Sequence, residues 1–225
     1  MCNGYTWREW LGGKIIPLVF FGMTLVGASP LIREEAASLA REGVHLYPVL
    51  ELVRRCLSLG FLLLIMATYL TRVRAVAPAR GFLERIFPIL VLFVAPTGLW
   101  LTSNTEIPHR LELVGMGMLL CLLGYAVSLW SLWHLRGSFA IMAEARSLVT
   151  SGPYEYIRHP LYLGEQLTML GLCLMTGTVI TLLFWAFFTG LQLTRARIEE
   201  NKLARQFDDY RTYQEKTRFI LPGLY

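Results

Sequence analysis

Charge is the scarcest property of this 225-residue chain: 16% of its residues are Asp, Glu, Lys or Arg, whereas 55% are hydrophobic. A soluble domain averages about a quarter charged, so this composition excludes an ordinary soluble enzyme and points to a membrane protein. Cysteine is equally sparse. Cys2, Cys56, Cys121 and Cys173 are scattered, which excludes a disulfide framework and a paired redox motif and suits buried structural thiols. The four histidines, His45, His109, His134 and His159, stand apart from one another and from cysteine. No zinc-ligand spacing arises, and no metal is expected. There is no Gly-rich dinucleotide loop, internal repeat or low-complexity linker.

What fills the chain is apolar sequence. Runs at about 14–32, 49–71, 86–102 and 111–134 each approach the length needed to cross a hydrocarbon core of about 30 Å. Two shorter runs, 161–176 and 178–194, are hinged at Thr176-Gly177-Thr178 and predict a helical hairpin whose open ends share one side. The expected fold is an all-α polytopic membrane bundle of about six membrane helices, the last two forming the short hairpin. Residues 1–135 would hold four spans and residues 136–225 the chemistry. No small-residue cleavage site follows Arg8 and Glu9, so the first run is expected to remain as a helix.

The net charge of +5 has a topological explanation rather than a nucleic-acid one. With the N-terminus inside, sixteen Lys and Arg residues fall on inner segments, among them Arg72, Arg74, Arg80 and Arg85. Only Arg33, Arg41 and Arg110 fall in outer loops, with Arg54 and Arg55 near the outer end of the second span. Both termini are expected to be cytoplasmic, in a bacterial inner membrane.

The most informative stretch is LVTSGPYEYIRHPLYLG, Leu148 to Gly164. Gly152 permits a tight turn, Pro153 can begin a helical turn, and Pro160 suits the first position of a helix. His159 then falls at the cap. A helix N-terminus flanked by Arg158 and His159 is a receptor for an anionic group. An Arg-His pair at a membrane boundary also serves as an interfacial anchor, and Tyr154, Tyr156 and Tyr162 could form an interface belt. Tyr162, Glu165, Gln166 and Met169 share a helix face, and an acidic group on a membrane helix needs water, a partner or a ligand.

A second cluster, Arg195, Arg197, Glu199, Glu200 and Asn201, follows the hairpin. Helical ion pairs are allowed by its spacing, so a solvated salt-bridge face is the plain alternative. The hairpin brings the cluster toward Arg158 and His159, and cations beside carboxylates suit a zwitterionic ligand. Leu203, Phe207, Tyr210 and Tyr213 then predict a C-terminal amphipathic helix whose tyrosines pack against the core.

These motifs, with RIEENKLARQFDDYRTYQEKTRFILP at the end, make the last 90 or so residues resemble the isoprenylcysteine carboxyl methyltransferases and related integral-membrane phospholipid methyltransferases. The resemblance rests on Gly152-Pro153-Tyr154, Arg158-His159-Pro160, Tyr162, Gly164, Glu199-Glu200, Leu203, Phe207, Tyr210 and Tyr213. The family often has Gly after the Phe of the tail, where this chain has Asp208. The resemblance implies S-adenosylmethionine held at the cytosolic edge by Gly152, Pro153, Tyr154, Arg158, His159, Pro160, Tyr162, Glu199 and Glu200. It implies a lipid or prenylated small-molecule acceptor entering from the bilayer. An acceptor carboxylate would be oriented by Arg195 or Arg197; an acceptor amine would lose its proton to Glu165. The first 130 residues carry no motif for a substrate. Two other functions stay open: a reductase similar to the sterol reductases, which also carry an Arg-His-Pro-aromatic stretch and use NADPH, and a non-enzymatic membrane protein that keeps the fold. The Glu199-Glu200 pair and the Gly-Pro-Tyr turn favour methyl transfer over the reductase.

Overall fold

The computed structural model describes residues 15–42, 45–102 and 111–220. Arg8, Lys14 and Arg110, used in the charge argument, lie outside the described residues, as do Cys2 and His109. The described residues form seven α-helices and no strand: α1 Ile16–Glu42, α2 Leu46–Leu70, α3 Phe87–Thr102, α4 Leu111–Leu135, α5 Pro160–Thr176, α6 Val179–Gln206 and α7 Tyr210–Lys216. Among the described residues, two stretches are long and apolar enough to cross a membrane, Glu112–Ser138 and Val179–Gln206. The other apolar runs also fold as helices where their hydrophobicity places them.

Two boundaries move for physical reasons. The first run ends near residue 32, yet α1 continues to Glu42 because Arg33, Glu34, Glu35, Ala36 and Ala37 are helix formers with no breaker among them. The second arm of the hairpin likewise passes through the charged run to Gln206, a rise of about 42 Å. Arg195 to Glu200 therefore belong to the same rigid element as the membrane segment before them. The expected C-terminal amphipathic helix is divided: Phe207 is extended, with φ −123° and ψ 117°, and a separate seven-residue helix begins at Tyr210. The break turns Tyr210 and Tyr213 back toward α6.

The hairpin closes as its sequence suggests. Gly177 takes the left-handed conformation, φ 68°, that ends α5. Thr178 then caps α6 by accepting the Thr181 amide at 3.0 Å. Helices α4 and α5 touch along their backbones. A Cβ on Gly164 would lie 2.7 Å from the Gly124 carbonyl oxygen, and one on Gly171 would lie 2.5 Å from that of Gly117. Small residues permit this approach, the packing by which membrane helices associate when there is no hydrophobic drive between them. Phe21, Ile65, Tyr69, Leu132, Phe139, Ile141 and Leu161 join α1, α2, α4 and α5 in one buried cluster. Val91, Met169, Cys173 and Phe188 join α3, α5 and α6 in another.

Candidate active site

The Gly152-Pro153-Tyr154 sequence forms a single 3-10 turn from Gly152 to Glu155. Gly152 has φ +64°, and the His134 ring occupies the space where a side chain would sit. Pro153 and Tyr154 are buried by this turn, and Pro160 opens α5 at its first position with His159 as the cap. The chain's end then folds back over the motif. The Arg218 and Phe219 carbonyls accept the amides of Arg158 at 2.7 Å and His159 at 3.1 Å. The returning tail thus takes the amides of Arg158 and His159, the two residues before the helix.

Arg158 is also a structural tie. Its Nε donates to Glu200 Oε1 at 2.5 Å, and its Nη1 donates to the Gln214 and Thr217 carbonyls at 3.1 and 2.5 Å. His159 Nε2 lies 3.2 Å from the same Glu200 oxygen, and its ring stacks on Tyr162 with centroids 5.4 Å apart. Tyr162 donates its hydroxyl to Glu199 Oε1 at 2.5 Å, and the Arg195 guanidinium lies over its ring at 5.1 Å. Arg195 donates through Nη2 to the Ile141 carbonyl at 2.9 Å. Its Nε lies 3.4 Å from Glu199 and makes no hydrogen bond although buried. The turn before α5 and the last turns of α6, some forty residues apart in sequence, are thus one interlocked unit.

Tyr154, Arg158, His159, Tyr162, Arg195 and Glu199 line a cavity. Gly152, Pro153 and Pro160 stand behind its wall and shape it, and Glu200 supports Arg158 and His159 from outside the lining. Glu165 is deeper, accepting from Gln192 Nε2 at 2.6 Å, and does not line the cavity. Arg197 is exposed and outside the lining: two residues after Arg195, it points about 200° around the helix. The structure does not bring it to the cavity.

The sequence motifs missed a complete wall. Residues between Leu135 and Val149 supply Phe139, Ala140, Met142, Glu144 and Arg146. Glu144 Oε2 accepts from Arg72 and, at 2.6 Å, from Arg146. The Glu144-Ala145-Arg146 spacing just before the Leu148 motif was a signal for this wall, but nothing local shows that it faces Arg195. Lys202, Leu203, Tyr210 and Tyr213 complete the lining. Burial drives the Tyr154 hydroxyl well above its usual range, reinforced by Tyr213, Glu199 and Glu165. Burial also pushes Tyr213 up to about 12, against the Thr217 hydrogen bond and the Arg158 charge. Both phenols are therefore neutral near pH 7 and act as hydrogen-bonding aromatic walls rather than as bases.

Residues 113–210 match the family model for phospholipid methyltransferases, a methyltransferase family. Among known proteins, the chain is 33% identical over 113 residues to a cobalt-zinc-cadmium resistance protein of Cupriavidus metallidurans, covering 50% of each chain. It is 30% identical over 142 residues to a nickel-cobalt-cadmium resistance protein of Alcaligenes xylosoxydans xylosoxydans, covering 62% of this chain and 63% of that one. The chain thus spans between half and two thirds of the length of these relatives. The segment that matches the phospholipid methyltransferase family model contains the Gly152 turn, the Arg158-His159 cap, the hairpin and the Arg195–Glu200 cluster.

Proposed function

We propose that the protein transfers a methyl group from S-adenosylmethionine to a lipophilic acceptor at the cytoplasmic membrane face. The observation that carries this reading is the convergence of Tyr154, His159, Tyr162, Arg195 and Glu199 on one cavity. The donor set fits the cofactor. The Arg195 guanidinium, whose Nε is ion-paired with Glu199 but makes no hydrogen bond, can meet a carboxylate, Glu199 an ammonium, and the neutral tyrosines a sulfonium and an adenine ring. When bound, S-adenosylmethionine supplies an activated methyl group that an acceptor lone pair can take without a covalent enzyme intermediate.

In this reading the interlocked residues bind and orient the cofactor and acceptor. Tyr162 and Glu199 hold the wall on which His159 stacks, and Glu200 fixes Arg158 and His159 beside them. Arg195 is placed to orient an acceptor carboxylate. An acceptor amine would instead give its proton to Glu165, reached beyond the cavity floor. In the same reading six membrane helices carry the site, with residues 136–225 as the catalytic region and both termini cytoplasmic. The match to a membrane methyltransferase family model and the two helices long and apolar enough to cross a membrane support it.

The test is to incubate purified protein with methyl-labelled S-adenosylmethionine and a native lipid extract and to separate acid, amine and prenyl thioether fractions. Label in one fraction is expected; a folded protein that labels none of them overturns the reading. The names of both relatives also suggest a cellular role for this methylation in cobalt and cadmium tolerance. Cells lacking the chain should then grow less well in either metal, and equal growth would remove that role.

A further inference from the structure

The segment between α2 and α3, residues 71–86, lies outside the part of the chain matched to the family. Its exposed charged side chains are Arg74, Arg80 and Arg85. Its acid, Glu84, is engaged by Lys202 and accepts the Arg80 amide at 2.7 Å. Burial pushes the Glu84 carboxyl up, but the Lys202 and Arg80 hydrogen bonds and the Lys202 and Arg205 charges hold it below its usual range. Glu84 therefore stays ionised and spent on Lys202, leaving the outward charge of the segment positive.

Between the arginines, Val76, Phe82 and Leu83 are 60%, 56% and 58% exposed. The apolar surface continues from Ile86 onto Ile89, Leu90 and Phe93 of α3. From this segment to α3 the surface thus passes from interleaved basic and apolar side chains to a wholly apolar face. A leaflet with anionic headgroups presents the complementary order, negative charge at the surface and acyl chains below it. A soluble protein partner would not match this gradient along a helix that continues into the apolar bundle.

The segment is also fastened to the cavity. Lys202, a lining residue, donates to the Pro78 carbonyl at 2.6 Å as well as to Glu84. The Ala143 amide donates to the Glu84 carbonyl at 2.8 Å, and Ala77 and Ala145 exchange both backbone hydrogen bonds at 3.0 Å. The wall made by residues 135–149 therefore hangs on this segment. We propose that residues 73–93 form a seat for anionic phospholipid headgroups, with Arg74, Arg80 and Arg85 as the contacts, which fixes the cavity wall at the headgroup layer. The proposal rests on the reading above only in placing this end of the bundle at the cytoplasmic leaflet.

The experiment reconstitutes the full chain in phospholipid bilayers and compares the association of spin-labelled phosphatidylglycerol and phosphatidylcholine with the protein by electron paramagnetic resonance. Each cation near an anionic surface contributes enough that a preference of at least about threefold for phosphatidylglycerol is expected. The preference should fall toward one in the Arg74→Gln/Arg80→Gln/Arg85→Gln variant and persist in Arg33→Gln/Arg41→Gln. These arginines are exposed, so folding should survive in both. Equal association of the two lipids with the unaltered protein, or a preference that the triple variant retains, overturns the proposal. S-adenosylmethionine binding measured separately in detergent keeps the two readings apart: intact binding without lipid preference removes only the lipid seat, whereas lipid preference without cofactor binding removes only the methyl-transfer reading.

Discussion

Two buried charged networks differ in reach, one on α1 and α2 and the other between α5 and α6, beside the Arg72-Glu144-Arg146 cluster of the cavity wall. In the first, Arg54 Nη2 and Arg55 Nε reach Glu51 at 2.5 and 2.9 Å, and Arg55 reaches across to Glu35 of α1 at 3.6 Å. Most of its contacts are between helical neighbours, and Glu51, Arg54 and Arg55 do not line the cavity. In the second, Arg158 meets Glu200 and Tyr162 meets Glu199 across the hairpin, and both Arg158 and Tyr162 face the cavity. Buried charge by itself therefore does not mark the site. What marks it is long-range convergence, which holds aromatic and charged groups around a space that no side chain fills.

Breaking each network should separate stability from binding. Glu200→Ala releases Arg158 and His159 together, and losing one partner of a buried pair costs about 3–5 kcal/mol. We expect S-adenosylmethionine affinity to fall at least about a hundredfold, about 2.7 kcal/mol and just below that range, as measured by calorimetry. Glu51→Ala should lower the unfolding temperature and leave affinity unchanged; loss of binding in this variant would erase the distinction. Tyr162→Phe removes one hydrogen bond to a carboxylate, and a reduction of about tenfold in affinity is expected. Unaltered affinity would show that Glu199 needs no such partner.

The tyrosines of the second network allow a test by pH. Tyr213 is raised from 10.0 to about 12, so the folded state holds this proton more tightly than the unfolded state does. Its contribution is fully present below pH 10 and disappears as the pH rises toward 12. Thermal stability should fall across that window, and the fall should be shallower in Tyr213→Phe. An identical profile in both proteins would remove Tyr213 from the account. The smallest effect is expected from Arg197→Ala. The side chain is exposed and outside the cavity, so methyl transfer and cofactor affinity should each change by less than about twofold, the scale of an ordinary surface substitution. A tenfold loss in transfer would return Arg197 to the site.

How much was legible depends on how local the signal is. The Gly177 hinge and the Pro160 start are written in single residues whose backbone preferences are intrinsic, and both stand where the sequence puts them. The joining of Arg158 with Glu200 was also accessible, since a hairpin of two similar arms must return its ends to one side. The division of the tail at Phe207 was not: the periodicity of Leu203, Tyr210 and Tyr213 suits a continuous helix, and only contact with Glu200 and Tyr154 rewards the break. Nor was the separation of Arg195 from Arg197, two arginines that differ only in the helix face they occupy.

The sequence by itself determined the helical elements, their apolar character and the residue types that gather in the candidate site, because these follow from hydrophobicity and backbone chemistry within a few residues. The tertiary structure alone decided that the returning tail takes the amides of Arg158 and His159, that residues 135–149 close the opposite wall, and that Lys202 ties this wall to the basic segment before α3. Those outcomes depend on hydrogen bonds between backbone groups 59 or more residues apart or on a lysine reaching a carbonyl more than a hundred residues away, and such contacts leave no period or spacing in the chain.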